Sequence, residues 1–253
     1  MARALGRGSC RGLAGVTSAL FELSAVGVRF GALAALSDLS LRINAGERVA
    51  LVGSNGSGKS TLLRLLHGLQ PPTAGRLRAA AASRQAMLFQ RPFMLRASAR
   101  ANVALGLWLA GVSWGMACRQ AMQGLARVGL AEVGDRSART LSGGQQQRLA
   151  LARAWVLAPE VMLLDEPTAS LDPHAKREVE ALMADFGAGD DGRPMTMIFA
   201  SHNLGQVKRL ASRVLYLERG RLLADLPVQD FFNAQRLQAT APAAHLFVKG
   251  ELV

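Results

Sequence analysis

Eight residues constrain this chain more than any others: Gly53-Ser54-Asn55-Gly56-Ser57-Gly58-Lys59-Ser60. They stand between the apolar run Val49-Ala50-Leu51-Val52 and the helix-like Thr61-Leu62-Leu63-Arg64-Leu65-Leu66-His67. A buried strand, a glycine loop and a helix start in that order suit phosphate. Glycines let backbone N–H groups crowd an anion, and the helix N-terminus behind them adds partial positive charge. Lys59 adds a full charge aimed at β- and γ-phosphates, and the Ser60 hydroxyl is placed to ligate Mg²⁺. Gly68 supplies the C′ glycine at which this helix is expected to end.

Two further stretches carry chemistry. The apolar run Val161-Met162-Leu163-Leu164 leads into Asp165-Glu166-Pro167. Carboxylates at the carboxyl end of a buried strand lie where open α/β sheets bind their ligands. Asp165 reads as a Mg²⁺ ligand and Glu166 as the group that polarises an attacking water, a role worth about 10²- to 10⁴-fold in rate. The alternative pairs both acids with surface arginines. The second stretch is Leu141-Ser142-Gly143-Gly144-Gln145-Gln146-Gln147-Arg148. Ser142 with Gln145 three residues on is a capping-box pattern, and the helix it starts should run to about Leu157, before Pro159. Taken alone this is an ordinary helix start. Two glycines directly after the cap are poor helix formers, however, and their bare N–H groups suit an anion.

Around these stretches the pattern alternates between strand and helix. Residues 21–30 are strand-like, and Leu39-Ser40-Leu41-Arg42-Ile43 alternates apolar and polar in the manner of a half-buried strand. Asn44-Ala45-Gly46-Glu47 forms the turn before the central strand, and Pro71-Pro72-Thr73-Ala74-Gly75 is expected as a loop. Met87-Leu88-Phe89 makes a short strand ending at Gln90. Residues 92–140 are helical and Ala-rich, so an inserted helical subdomain is expected over about 92–158. Met195-Thr196-Met197-Ile198-Phe199-Ala200 is another continuous apolar run, as in parallel strands covered on both faces. A terminal hairpin is expected around Gly220, followed by a C-terminal tail over about 231–253. Residues 101–118 carry no charge, but Asn102, Ser113, glycines and two tryptophans make them a poor bilayer span. They are expected as buried or partner-covered helix. Residues 1–18 hold Arg3, Arg7 and Arg11, no acid and no continuous apolar stretch of signal-peptide length, and read as a disordered basic tail or the product of an upstream start codon.

The formal net charge of +12 comes almost entirely from arginine, since Lys59, Lys176, Lys208 and Lys249 are the lysines. These arginines are spread along the chain, with no basic stripe interleaved with aromatics and a single tyrosine for stacking. That favours a solvated face or an anionic membrane surface over nucleic acid. Cys10 and Cys118 belong to no Cys/His cluster, against a zinc site or disulfide framework and in keeping with a reducing cytoplasm.

Read together, these stretches resemble the ATP-binding cassette (ABC) family. Residues 53–60 look like its Walker A loop, 161–166 its Walker B strand with the following glutamate, and 141–148 its LSGGQ signature. Gln90 falls at the Q-loop glutamine, Ser170-Leu171-Asp172 at the D-loop and His202 at the switch histidine. The similarity covers about residues 21–225, and it makes 19–253 an ABC ATP-binding domain. The implied fold is α/β: a P-loop NTPase (RecA-like) core with an N-terminal antiparallel β subdomain and an inserted α-helical subdomain.

The resemblance also implies roles. ATP and Mg²⁺ are the cofactors. Gly53, Ser54, Asn55, Gly56, Ser57, Gly58, Lys59, Ser60 and Thr61 cradle the nucleotide, and Ser60, Asp165 and Gln90 hold the metal. Glu166, His202, Gln90 and Lys59 serve hydrolysis. Two cassettes pack head to tail in this family, so Ser142, Gly143, Gly144, Gln145 and Asp172 would face ATP bound mainly by a second copy. Phe30 stands where the family stacks an aromatic on adenine; it departs from the usual tyrosine, and a core phenylalanine is the other reading. Trp108 and Trp114 are either subdomain core or an apolar contact for the partner that meets this subdomain. One cassette without a bilayer span implies the ATPase subunit of an importer at the cytoplasmic face of the cell membrane. Its partners would be an integral membrane permease and, indirectly, an extracytoplasmic solute-binding protein. The tail Phe247-Val248-Lys249-Gly250-Glu251-Leu252 is similar to those of tungstate-type importers, implying a tungstate- or molybdate-like oxyanion cargo. The rival class is a soluble ABC ATPase acting on nucleic acid or ribosomes, supported by the basic charge alone.

Overall fold

The computed structural model of the protein describes residues 19–80, 84–189 and 194–250. The expected basic tail at 1–18 lies outside the described residues, as do Glu251 and Leu252. In chain order the strands are β1 (Ala19–Phe30), β2 (Leu33–Asn44), β3 (Arg48–Val52), β4 (Ala74–Ala79), β5 (Gln85–Leu88), β6 (Val161–Asp165), β7 (Thr196–Ala200), β8 (Arg213–Glu218) and β9 (Arg221–Pro227). The helices are α1 (Lys59–His67), α2 (Ala99–Leu109), α3 (Trp114–Arg127), α4 (Gly143–Trp155), α5 (Pro173–Ala188), α6 (Leu204–Leu210), α7 (Val228–Phe231), α8 (Ala234–Thr240) and α9 (Pro242–Lys249).

The continuous apolar runs meet in one sheet of order β5-β6-β7-β3-β8-β9, parallel except for the antiparallel β8/β9 hairpin. Alternation along each central strand splits its side chains between two cores. Val49, Leu51, Val161, Leu163, Ile198 and Ala200 pack with α1 and the N-terminal sheet, while Ala50, Val52, Met162, Leu164, Met197 and Phe199 pack toward the helical region. Both faces are thus covered, which is why these strands lack a polar side. The N-terminal sheet is antiparallel, order β2-β1-β4. Arg213 ties the sheets together: Nη1 donates to the Arg42 carbonyl and to Glu47, both at 2.9 Å, while Nε and Nη2 grip Asp225 at 2.6 Å.

Three expectations need correction. Ala74 and Gly75 do not belong to a loop; they open β4, an edge strand on β1. Its Arg-Leu-Arg pattern, with both arginines exposed, carries little β signal, and pairing with β1 supplies the rest. Gly75 makes the approach possible, since a Cβ there would lie 2.2 Å from the Ala25 carbonyl oxygen at φ +75. Residues 101–118 are not one helix. Gly111, at φ +92, ends α2 in a left-handed turn whose N–H bonds the Trp108 carbonyl, and α3 starts after Ser113. Nor are both its tryptophans core: Trp108 and Trp114 stay 50% and 47% exposed and meet edge to face at 6.5 Å. Smaller shifts are that Phe89 falls just beyond β5 and that α4 ends at Trp155 rather than Leu157. The C-terminal helices fold back on the hairpin, with Phe247 against Tyr216 at 5.3 Å. No helix among the described residues is long and apolar enough to cross a membrane.

Candidate functional site

The phosphate loop leaves β3 at Gly53, whose backbone only glycine tolerates. At φ +146 a Cβ would stand 2.1 Å from the Leu217 carbonyl oxygen. Gly58, at φ +106, is the N-cap of α1 and lies close to β2, with the Ala35 carbonyl oxygen 2.8 Å from a would-be Cβ. The β8–β9 turn braces the loop from outside: Gly220 N–H donates to the Ser57 carbonyl at 3.0 Å, and its own carbonyl accepts from Ser37 N–H at 2.8 Å. Two neighbouring strands and a hairpin therefore fix a loop that has little side-chain packing of its own.

Inside it, Lys59 is 6% exposed, and its Nζ donates to the carbonyls of Gly53 and Ser54 at 2.8 and 2.9 Å. Burial pushes the ammonium below its ordinary pKa, more than Glu166 and Asp165 push it up. Ser60 Oγ donates to Asp165 Oδ1 at 2.9 Å. Asp165 is 4% exposed, and burial raises its carboxyl above the usual range despite the Ser60 hydrogen bond and the charges of Arg64 and Lys59. A buried carboxylate left short of positive charge favours a cation beside it. Ser60, Asp165 and Gln90 offer hydroxyl, carboxylate and amide oxygens, the hard donors that Mg²⁺ selects, so the residues fit that ion.

Glu166 follows β6 in a left-handed conformation, φ +46, rare for a residue with a Cβ. Its Oε2 accepts from Gln90 Nε2 at 3.3 Å and lies 3.4 Å from His202 Nδ1. Three segments distant in sequence converge because β5, β6 and β7 are neighbours and their carboxyl ends share one edge. Phe30, Asn55, Gly56, Ser57, Gly58, Lys59, Ser60, Thr61, Gln90 and Glu166 line one cleft of about 660 Å³. Phe30 sits on it 47% exposed, so the core reading of that ring does not hold.

Ser142 to Gln145 lie elsewhere. Ser142 caps α4 with both arms of the box made: Gln145 N–H donates to Ser142 Oγ at 3.3 Å, and Ser142 N–H donates to Gln145 Oε1 at 3.0 Å. Asp172 caps α5, accepting from the N–H groups of His174 and Ala175 at 2.9 and 3.0 Å, and the Ala175 bond leads in holding its carboxyl below the usual range. Ser142, Gly143, Gly144, Gln145, Ser170 and Asp172 line a second cleft of about 440 Å³ that shares no residue with the first. Within one chain, then, the loop and the signature do not meet in a common cleft.

Leu33, Ala34, Ala35 and Arg219 also line the nucleotide-side cleft and were not singled out by sequence. The signal for Arg219 was its place before Gly220 in the hairpin turn; that this turn abuts the phosphate loop depends on β8 lying beside β3.

A family profile described as "ABC transporter" matches residues 36–169. The chain is 42% identical over 231 residues to the nickel import ATP-binding protein NikO of Rhodobacter capsulatus, covering 83% of this chain and 90% of that protein. It is 40% identical over 214 residues to the aliphatic sulfonates import ATP-binding protein SsuB 1 of Mesorhizobium japonicum, covering 82% of this chain and 79% of that protein. The dimeric post-hydrolysis structure of the ATP-binding cassette MJ0796 with ADP and Pi matches at TM-score 0.74 and 26% identity, covering 82% of this chain and 98% of that one.

Proposed function

The chain belongs to the ABC transporter family, whose cassettes bind and hydrolyse ATP, and on that premise we propose that two copies of it clamp ATP head to tail to power an importer. The observation that carries this reading is the meeting of Gln90 and His202 on one carboxylate oxygen of Glu166, at 3.3 and 3.4 Å, on the rim of the phosphate loop. Glu166 takes the proton of the attacking water, and His202 holds that water and the γ-phosphate in line. Residues 53–61 cradle the phosphates, with Lys59 redirected from the loop carbonyls to the β- and γ-oxygens. Ser60, Asp165 and Gln90 would hold Mg²⁺, which would supply neutralisation of the triphosphate's charge. The exposed ring of Phe30 stacks on adenine. Ser142, Gly143, Gly144, Gln145 and Asp172 complete the partner copy's site, which accounts for their separate cleft.

Gly144 offers a direct probe of that second half-site. A Cβ there would lie 2.8 Å from the Ala175 Cβ in the first turn of α5. Gly144→Ala should therefore push the signature tip off the Asp172 loop. ATP binding, followed with a fluorescent analogue, should persist while turnover falls about tenfold or more.

The exposed pair Trp108 and Trp114 gives the permease an apolar contact at the cytoplasmic face of the membrane, and the solute-binding protein acts through that permease. The cargo proposed is a small oxyanion, supported by the sequence of the tail at 247–252 and by a relative named for sulfonate import. Uptake of labelled molybdate, tungstate and nickel by cells lacking this chain tests both levels. Wild-type chain, and not Lys59→Ala, should restore oxyanion uptake. Restored nickel uptake instead would overturn the cargo, and restoration by Lys59→Ala would overturn ATP-driven transport.

A further inference from the structure

Behind Glu166 and His202 lies a polar side chain that none of these roles uses. Gln206, in α6, has 0% exposure. A buried amide is costly unless its polar atoms find partners, and here both the oxygen and the nitrogen do. Gln206 Oε1 accepts from Ser201 Oγ at 2.7 Å, and Nε2 donates to Thr168 Oγ1 at 3.2 Å. Thr168 and Ser201 are themselves 4% and 3% exposed.

Each partner is next to a group that acts on the phosphate. Thr168 stands in the turn that Ala169 N–H closes on the Glu166 carbonyl at 3.2 Å. Ser201 precedes His202, and its Oγ accepts from Asn203 N–H at 3.0 Å, so one hydroxyl spans the backbone that carries the imidazole. Asn203 then caps α6 on the N–H of Gln206 itself, at 3.1 Å. Support from behind is needed. Glu166 holds a left-handed φ of +46, a conformation that persists only where its surroundings over-determine it. The His202 side chain is 55% exposed, so packing does not fix it.

We propose that Gln206 is a positioning residue for ATP hydrolysis: its buried amide locks the Thr168 turn to Ser201 and so sets the Glu166–His202 spacing without touching nucleotide. The inference rests on the roles given above to those two residues. Glu166→Gln is therefore measured alongside, since wild-type turnover there would defeat that reading and leave nothing for Gln206 to position.

The test compares steady-state ATPase of Gln206→Leu, Gln206→Glu, Ser201→Ala and the Gln206→Leu/Ser201→Ala pair. Gln206→Leu and Ser201→Ala should each lower kcat about ten- to a hundredfold with KM for ATP unchanged, as expected for misplaced reacting groups. The pair should be no worse than either single change, because both break one relay. Gln206→Glu, whose two oxygens can accept from the Ser201 and Thr168 hydroxyls, should recover most of the loss. Wild-type kcat in Gln206→Leu overturns the proposal. So does a parallel fall of kcat, ATP affinity and thermal midpoint that Gln206→Glu does not relieve. If Gln206→Leu fails to fold, Ser201→Ala decides by the same split.

Discussion

Glu166→Gln is expected to bind ATP as tightly as the wild type, to turn over about 10²- to 10⁴-fold more slowly, and to accumulate as a dimer on size exclusion with ATP and Mg²⁺. The amide is the same size as the carboxylate and keeps an oxygen for Gln90 Nε2, which now lies at 3.3 Å, so the left-handed turn at residue 166 has no reason to move. What it loses is the capacity to take a proton. Removing charge from the rim also relieves repulsion with the γ-phosphate, so the ATP-loaded dimer should outlive that of the wild type. Isothermal titration, phosphate release and chromatography read the three parts separately. Wild-type phosphate release would exclude Glu166 as the base.

Gly53→Ala is the change expected to do most damage to the fold of the site. The added methyl would stand 2.1 Å from the Leu217 carbonyl oxygen and 2.8 Å from Ser57 Oγ, at a φ of +146 that an L-residue resists. Leu217 belongs to β8, whose neighbour Tyr216 pairs with Val52, so the carbonyl cannot withdraw without breaking the ladder. The loop must shift, and it carries the two carbonyls that hold Lys59. A loss of about 3–5 kcal/mol in unfolding free energy is expected, with ATP binding abolished. Gly56→Ala is the internal control. A Cβ there meets nothing within 4 Å, and only its φ of +77 is unfavourable, so its cost should be about 1 kcal/mol. Urea denaturation compares the two, and equal midpoints would contradict the packing described here.

The difference between these glycines shows what the sequence can and cannot reveal. The loop itself was legible because strand, glycines, lysine and helix start are contiguous, and local chemistry dictates their arrangement. The same holds for the Ser142 capping box. The central strands were legible because a strand covered on both faces has no polar side to obscure the run. What was hidden is non-local. The common role of Gln90, Glu166 and His202 was implied by the family resemblance, but that Gln90 and His202 meet on one oxygen of Glu166 follows from the order β5-β6-β7, which no stretch of the chain encodes alone. Arg219 reached the cleft through the adjacency of β3 and β8. β4 escaped notice because Arg76-Leu77-Arg78 is strand only by virtue of β1. In the uncharged stretch at 101–118, continuous hydropathy masked the stop at Gly111, whose left-handed φ ends α2 and leaves Trp108 exposed at its tip.

If ATP is held between two copies, with the phosphate loop from one and the Ser142 helix tip from the other, a disulfide between chains should capture that arrangement. One Glu166→Gln chain carries Asn55→Cys, at an exposed loop position, and a second carries Gly143→Cys, where an added Cβ meets nothing within 4 Å. In both, Cys10 and Cys118 are replaced by serine. Mixed with ATP and Mg²⁺ and mildly oxidised, the two should form a linked pair that is absent with ADP or without nucleotide. No ATP-dependent link between those positions, in a mixture that binds ATP, would contradict the account.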